Sequence, residues 1–170
     1  MKSKICKAKR KDNKEWVEGF YFCMVHDDKR HEHHFIIPIG ADLSKGTPIE
    51  QIQVEIDIET LCDDTGLTDK NGRKIWENDI VRTQEYSDKP YAKNRKTKRH
   101  IGVVEYDIGK GSGFYNEETE THDKYREYSA EWSVKIKDYG IYCCGNWGDF
   151  FDCEVIGNVF DNPELLEKER

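Results

Sequence analysis

The sequence predicts a mainly β protein of α+β class, and three observations carry that prediction. Short apolar or alternating segments recur between turn signals along most of the chain. Aromatic residues make up 12% of the chain, too many for a disordered one even though 36% of the residues are charged. Readable helix signals are confined to the last nine residues and one polar stretch before residue 130. Many short strands punctuated by turns point to a small barrel or roll. A length of 170 residues fits one domain or two small ones. No apolar run approaches the roughly 18 residues of a membrane span, so no membrane partner is expected.

The elements follow in order. Lys4–Arg10 and Glu15–Val25 flank the turn signal Asp12-Asn13, and the second segment is dense in aromatic and β-branched residues, so the pair reads as a hairpin. Residues 26–34 are polar and hold four of the six histidines. Phe35–Ile39 is a short strand stopped near Pro38 and Gly40, and residues 40–48 are a loop. In Gln51–Ile58, Ile52, Val54, Ile56 and Ile58 alternate onto one face of a half-buried strand. Residues 61–78 read as turns. Asn71-Gly72 is expected as a two-residue hairpin turn with both residues at positive φ, and Glu77-Asn78-Asp79 as a second turn. Strands follow at Ile80–Glu85 and Ile101–Ile108, separated by a long basic loop. Residues 109–130 read as a loop with a short helix over Lys124–Ala130. Trp132–Lys137, Tyr139–Cys144 and Phe150–Phe160 complete the β pattern. A terminal helix starts with Asn162 as N-cap and Pro163 at the first position, with Lys168 and Arg170 near its end.

Charge is unevenly spread. Residues 1–14 carry seven basic side chains and one acid, a balance of +6, and residues 88–100 carry six and one, a balance of +5. With a total of −7, the rest of the chain holds −18. Such a body repels phosphate backbones, so any contact with nucleic acid falls to the two basic segments. In the second, Lys89, Lys93, Arg95, Lys96, Lys98 and Arg99 accompany Tyr91, cations plus an aromatic that suit a nucleic-acid strand, with a protein partner as the other binding reading. The opposing reading is a solvated loop between strands.

The six cysteines form no CxxC pair, and Met1–Arg10 lacks an apolar h-region, so no secretory signal is expected. In a reducing compartment the cysteines serve as small buried hydrophobes. His26, His31, His33 and His34, with Asp27, Asp28 and Glu32, offer zinc or nickel ligands, weighed against a solvated hairpin tip. The spacing is irregular, so no metal and no cofactor are assigned. Gly109-Lys110-Gly111-Ser112-Gly113 lacks the spacing of a phosphate loop. Tyr139, Tyr142, Trp147, Phe150 and Phe151 read as core, with a partner-binding groove as the alternative.

Four segments resemble one family. They are Lys9–Tyr21, Thr65–Val81 (TGLTDKNGRKIWENDIV), Gly102–Tyr106 and Glu154–Glu167 (EVIGNVFDNPELLE). Together they resemble the YopX family of phage and prophage proteins, in order and across nearly the whole chain. Asn78 departs from the glycine usual before Asp79, but asparagine also tolerates the left-handed conformation. The resemblance implies phage or prophage origin and a location in the cytoplasm of the bacterial host. For the fold, it implies a small β-rich part over residues 1–60 and an SH3-like barrel with a short terminal helix over residues 61–170. It brings no activity with it. Gly66, Asn71, Gly72, Asp79 and Gly157 read as backbone-shaping positions. The resulting expectation is a non-enzymatic interaction protein without catalytic residues, a host-takeover or anti-defence factor that binds a host or phage protein. The alternative is a nucleic-acid-binding accessory protein using residues 1–14 and 88–100. Self-association through a strand edge is compatible with both.

Overall fold

The computed structural model describes residues 5–25, 32–42, 46–84, 99–110, 115–116, 121–122, 128–136, 140–143 and 153–167. The chain is mainly β and falls into two compact units, Met1–Gly66 and Leu67–Arg170. Among the described residues no helix is long and apolar enough to cross a membrane.

The first unit holds β1 (Ile5–Arg10), β2 (Trp16–Val25), β3 (Glu32–Pro38), a single 3-10 turn (Ile49–Gln51) and β4 (Val54–Thr68), whose last residues enter the second unit. The β1–β2 hairpin forms as the turn signal predicts. Asn13 Oδ1 accepts the Glu15 N–H at 3.0 Å, and Lys14 takes a φ of 63°. β3 pairs with β2 and β4, and β1 pairs with both β2 and β4, all antiparallel. One face of these strands buries Ala8, Ile36 and Ile56, with Val17, Tyr21 and Leu61 packed against them.

β4 corrects the sequence reading. Residues 61–68 read as turns but continue the strand, because Cys62 and Asp63 pair with Lys7 and Cys6 of β1. Cross-strand pairing overrides the turn propensity of Asp63-Asp64-Thr65-Gly66. The register shifts between Lys7 and Lys9, and Thr60 repairs the ladder there. Its hydroxyl accepts the Lys9 N–H at 2.8 Å and donates to the Asp57 carbonyl at 2.7 Å. That bulge gives a buried polar residue both of its partners.

The second unit holds β5 (Lys74–Trp76), β6 (Asp79–Gln84), β7 (Arg99–Lys110), β8 (Tyr115–Asn116), β9 (Thr121–His122), β10 (Tyr128–Ile136), β11 (Gly140–Cys143) and β12 (Glu154–Asn158). β5 follows β4 in sheet order. The main sheet runs β11-β10-β7-β6-β12, antiparallel throughout, and β8 and β9 form a separate pair. Its core is Ile75, Val81, Val104, Val134, Ile136, Cys153 and Val155, with Leu67 and Trp132 against it. The helix expected over 124–130 is contradicted at its end, since residues 128–130 open β10 opposite β7. Residues 124–127 lie outside the described residues.

The turns of the second unit are held by acids. Gly72 has a φ of 79°, but Asn71 does not share the left-handed region, so the turn differs from the expected two-residue type. Asp69 supplies what that type would have supplied: its carboxylate accepts the N–H groups of Asn71 and Arg73. At the next turn Asn78 does adopt the left-handed conformation, with a φ of 64°, and buried Asp79 accepts the Trp76 N–H at 2.9 Å. Asn78→Ala is expected to lower the stability of this unit by about 1–2 kcal/mol, the cost of a left-handed residue with a Cβ. Asn78→Gly is expected to be the milder change, and thermal unfolding of the pair compares them.

At the C-terminus Pro163–Leu166 forms one 3-10 turn rather than a longer helix, and Asn162 makes no capping hydrogen bond. Its Oδ1 instead accepts the Asn158 N–H at 3.4 Å. Lys168 and Arg170 lie outside the described residues.

Candidate functional site

The residues singled out from the sequence divide sharply. Of the basic cluster, Lys89, Tyr91, Lys93, Arg95, Lys96 and Lys98 lie outside the described residues. Arg99 is exposed and opens β7 opposite Gln84. Gly109 and Lys110 continue β7, paired with Ser129 and Tyr128, so these two residues are extended strand. Of the aromatic stretch only Tyr142 is described, in β11.

The described basic residues of the N-terminal segment are engaged within their own unit, while Lys2 and Lys4 lie outside the described residues. The Lys7 and Lys9 ammonium groups lie over the Trp16 ring at 5.0 and 5.5 Å. Arg10 grips Asp12 through two nitrogens, at 2.9 and 2.6 Å. Lys11 reaches Glu55 at 2.7 Å and Lys14 reaches Asp57 at 3.5 Å. The Lys11 hydrogen bond, reinforced by His33, holds the Glu55 carboxyl below the ordinary carboxylate range. A phosphate backbone would have to compete with these carboxylates for Arg10, Lys11 and Lys14.

The outward end of the β2–β3 ribbon gathers a different set of groups. Side chains two apart on a strand share a face, and directly paired residues share it across strands. Cys23 pairs directly with His34, and Tyr21 with Ile36. Tyr21 and Cys23 of β2 therefore share a face with Glu32, His34 and Ile36 of β3. The Cys23 Sγ, a Glu32 carboxylate oxygen and a His34 ring nitrogen all lie within 4.8 Å of one another. His34 Nε2 is 3.9 Å from Glu32 Oε2, while its Nδ1 is 2.9 Å from the Tyr21 hydroxyl. The Tyr21 and His34 rings stack 13° from parallel. Burial, with Cys23 and Glu32 beside it, pushes the Tyr21 phenol up, so the hydroxyl keeps its proton at neutral pH. Cys6, Cys62 and Cys153 are buried as small hydrophobes, whereas Cys23 is an exposed free thiol. The sequence reading put His34 in a polar tip and Cys23 in a strand. It did not join them, because only the register sets them opposite. His26 and His31 of that histidine group lie outside the described residues.

The opposite face of the same ribbon is apolar and partly uncovered. Phe20, Phe22 and Met24 alternate along β2, and Phe22 stacks on Phe35 of β3 at 5.5 Å. Phe20 is 39% exposed and Met24 42%, whereas Val25, paired with Glu32 and 56% exposed, falls on the Cys23 face.

The acids of the sequence's longest motif do structural work. Asp69 is 5% exposed, and three backbone N–H groups point at its carboxylate. Asn158 Oδ1 accepts the Phe160 and Asp161 N–H groups at 3.0 and 2.9 Å. At Gly157 a Cβ would meet Asn162 Oδ1 at 2.6 Å, so this glycine admits a close approach of the turn that follows.

These features define a small, mainly β protein whose most buried acids serve its own backbone. The particular assignment follows from comparison: the chain belongs to the YopX protein family, which matches residues 7–167. It is similar to the crystal structure of protein EF1440 from Enterococcus faecalis, at 24% identity and a TM-score of 0.47, over 96% of this chain and 97% of that one. Comparison with curated proteins gives no match.

Proposed function

We propose that this YopX-family chain is a phage- or prophage-encoded, non-enzymatic interaction protein that binds a host protein in the bacterial cytoplasm. The observation that carries the reading is the apolar row on β2, where Phe20 and Met24 stay substantially exposed on a paired strand. Soluble proteins keep contiguous apolar surface small, and larger patches mark protein contacts. The charge balance adds to it. A body at −18 suits a partner with a basic surface, such as the nucleic-acid channel of a host enzyme, and fits a host-takeover or anti-defence role. The engagement of Asp69 and Asp79 with backbone N–H groups supports a role without catalysis. The finer fold reading, an SH3-like barrel in the second unit, is supported by its five-stranded antiparallel order around one apolar core.

The test is a tagged pull-down from bacterial host cells. Retained proteins are identified by mass spectrometry and co-purified nucleic acid is assayed in parallel. The expected result is one stoichiometric host protein whose capture falls at least tenfold with a Phe20→Ser, Met24→Ser double variant. Nucleic acid without protein, released by salt, would overturn the reading and move the function to the basic segments.

A further inference from the structure

We propose that Cys23, Glu32 and His34 form a zinc site on the β2–β3 ribbon. The three ligand atoms converge within 4.8 Å from paired strands rather than from a loop tip. A thiolate, an imidazole and a carboxylate suit zinc, a borderline-soft ion that takes sulfur, nitrogen and oxygen together. The set disfavours magnesium and calcium, which take shells of oxygen ligands. Zinc bond lengths of about 2.0–2.3 Å put the ligand atoms of a tetrahedral site about 3.3–3.7 Å apart. Closing the cluster to that size takes about an ångström of side-chain movement. Glu32, whose side chain is 62% exposed, can supply it by rotation.

Tyr21 is the second observation that points to a metal. A histidine that binds metal through one nitrogen holds its orientation by donating a hydrogen bond from the other. His34 Nδ1 lies 2.9 Å from the Tyr21 oxygen and Nε2 3.9 Å from Glu32 Oε2, so in the tautomer that a metal at Nε2 requires, the Nδ1 proton has the Tyr21 oxygen as its acceptor. Stacking of the two rings fixes the imidazole plane. Tyr21 is thus a positioning residue and the other three are ligands. On binding, the Cys23 thiol gives its proton to solvent, and the thiolate and carboxylate together balance the charge of the ion. The fourth coordination position stays open to water or to a group from a partner.

The full-length reduced protein is titrated with cobalt and then with zinc. The expected result is one equivalent of cobalt, with a near-ultraviolet thiolate-to-cobalt band and the visible bands of a tetrahedral site, displaced by zinc with micromolar or tighter affinity. Cys23→Ser is expected to abolish the charge-transfer band, and Cys23→Ser or His34→Ala to weaken zinc binding at least 100-fold. Tyr21→Phe is expected to weaken it about 10–100-fold while retaining the band. Cys23 and Glu32 are exposed, so Cys23→Ser and Glu32→Gln are expected to keep the parent circular dichroism spectrum. Absence of both the cobalt spectrum and zinc uptake would sink the proposal. So would a band that survives Cys23→Ser, since the metal would then sit on other cysteines.

Discussion

Asp69→Ala is expected to destabilise the second unit by about 3 kcal/mol, because it strands a buried N–H and unties a turn in one step. Asp69 Oδ1 accepts Asn71 N–H at 2.8 Å and Arg73 N–H at 2.9 Å, while Oδ2 accepts Val155 N–H at 3.1 Å. The first two groups border an exposed turn and can be rehydrated. Val155 is buried, so its N–H bears the full desolvation penalty when the carboxylate is removed. The exposed ion pair next door makes the contrast. Lys70 and Glu154 approach to 2.6 Å, yet both are at least one-third exposed, and solvent screening leaves such surface pairs little effect on stability. Lys70→Ala should therefore leave the unfolding midpoint nearly unchanged. Amide exchange at Val155, Asn71 and Arg73 distinguishes the two variants.

Asp69 also gives stability a pH dependence of fixed sign. Burial pushes its carboxyl up, but the Arg73, Val155 and Asn71 N–H groups outweigh burial and hold it below the ordinary value of 3.8. A carboxyl lowered by folding stabilises fully above its unfolded pKa, and that stabilisation is lost as pH falls through the folded one. Acid should therefore weaken the second unit below about pH 4. Asp69→Asn keeps an oxygen for Asn71 and Arg73 but cannot titrate, so it should flatten this part of the stability–pH curve. An unchanged acid limb in Asp69→Asn would show that other carboxyls set it.

These acids mark where sequence reading succeeds and where it stops. Turn positions announce themselves locally: Asp12-Asn13, Asn78-Asp79 and Gly72 each shape the backbone as their chemistry requires. Asp69 looks like one more turn residue. Its bond to Val155, 86 positions away, is invisible until β12 is in place. The end of β4 was hidden for the same reason, since its polar residues become strand only through pairing with β1. The candidate site sits at that limit. The sequence showed histidines and acids crowded into residues 26–34, but the partner that completes the cluster is Cys23, outside the crowd. A hairpin with Cys23 opposite His34 differs by one residue of register from one that points them to opposite faces. Composition cannot separate those registers. Core patterning can, because Tyr21 and Ile36 must face the same interior as Ala8 and Ile56.

Gly19→Ala is expected to disrupt the first unit by about 3 kcal/mol or more, at the overpacking limit for a single methyl. A Cβ there would lie 1.9 Å from the Ile37 carbonyl oxygen and 2.7 Å from Ile36 Cγ2. The oxygen belongs to the backbone, so no rotamer change relieves the clash. Relief requires β2 and β3 to separate where Gly19 faces Pro38 and Phe20 faces Ile37. The nearby bond from Ile39 N–H to the Glu18 carbonyl, 3.0 Å, would be strained by the same movement. Gly72 provides the control, because its requirement is conformational rather than spatial. It has a φ of 79° and nothing within 4 Å of its missing Cβ, so Gly72→Ala should cost only about 1–2 kcal/mol. The ribbon that Gly19 holds closed also carries Cys23 and His34, so Gly19→Ala should loosen zinc binding without touching a ligand. Faster amide exchange along β2 and β3, together with weaker zinc affinity, is the expected pair of results. Parent-like exchange in the variant would mean that the two strands do not approach as closely at Gly19 as the structure places them.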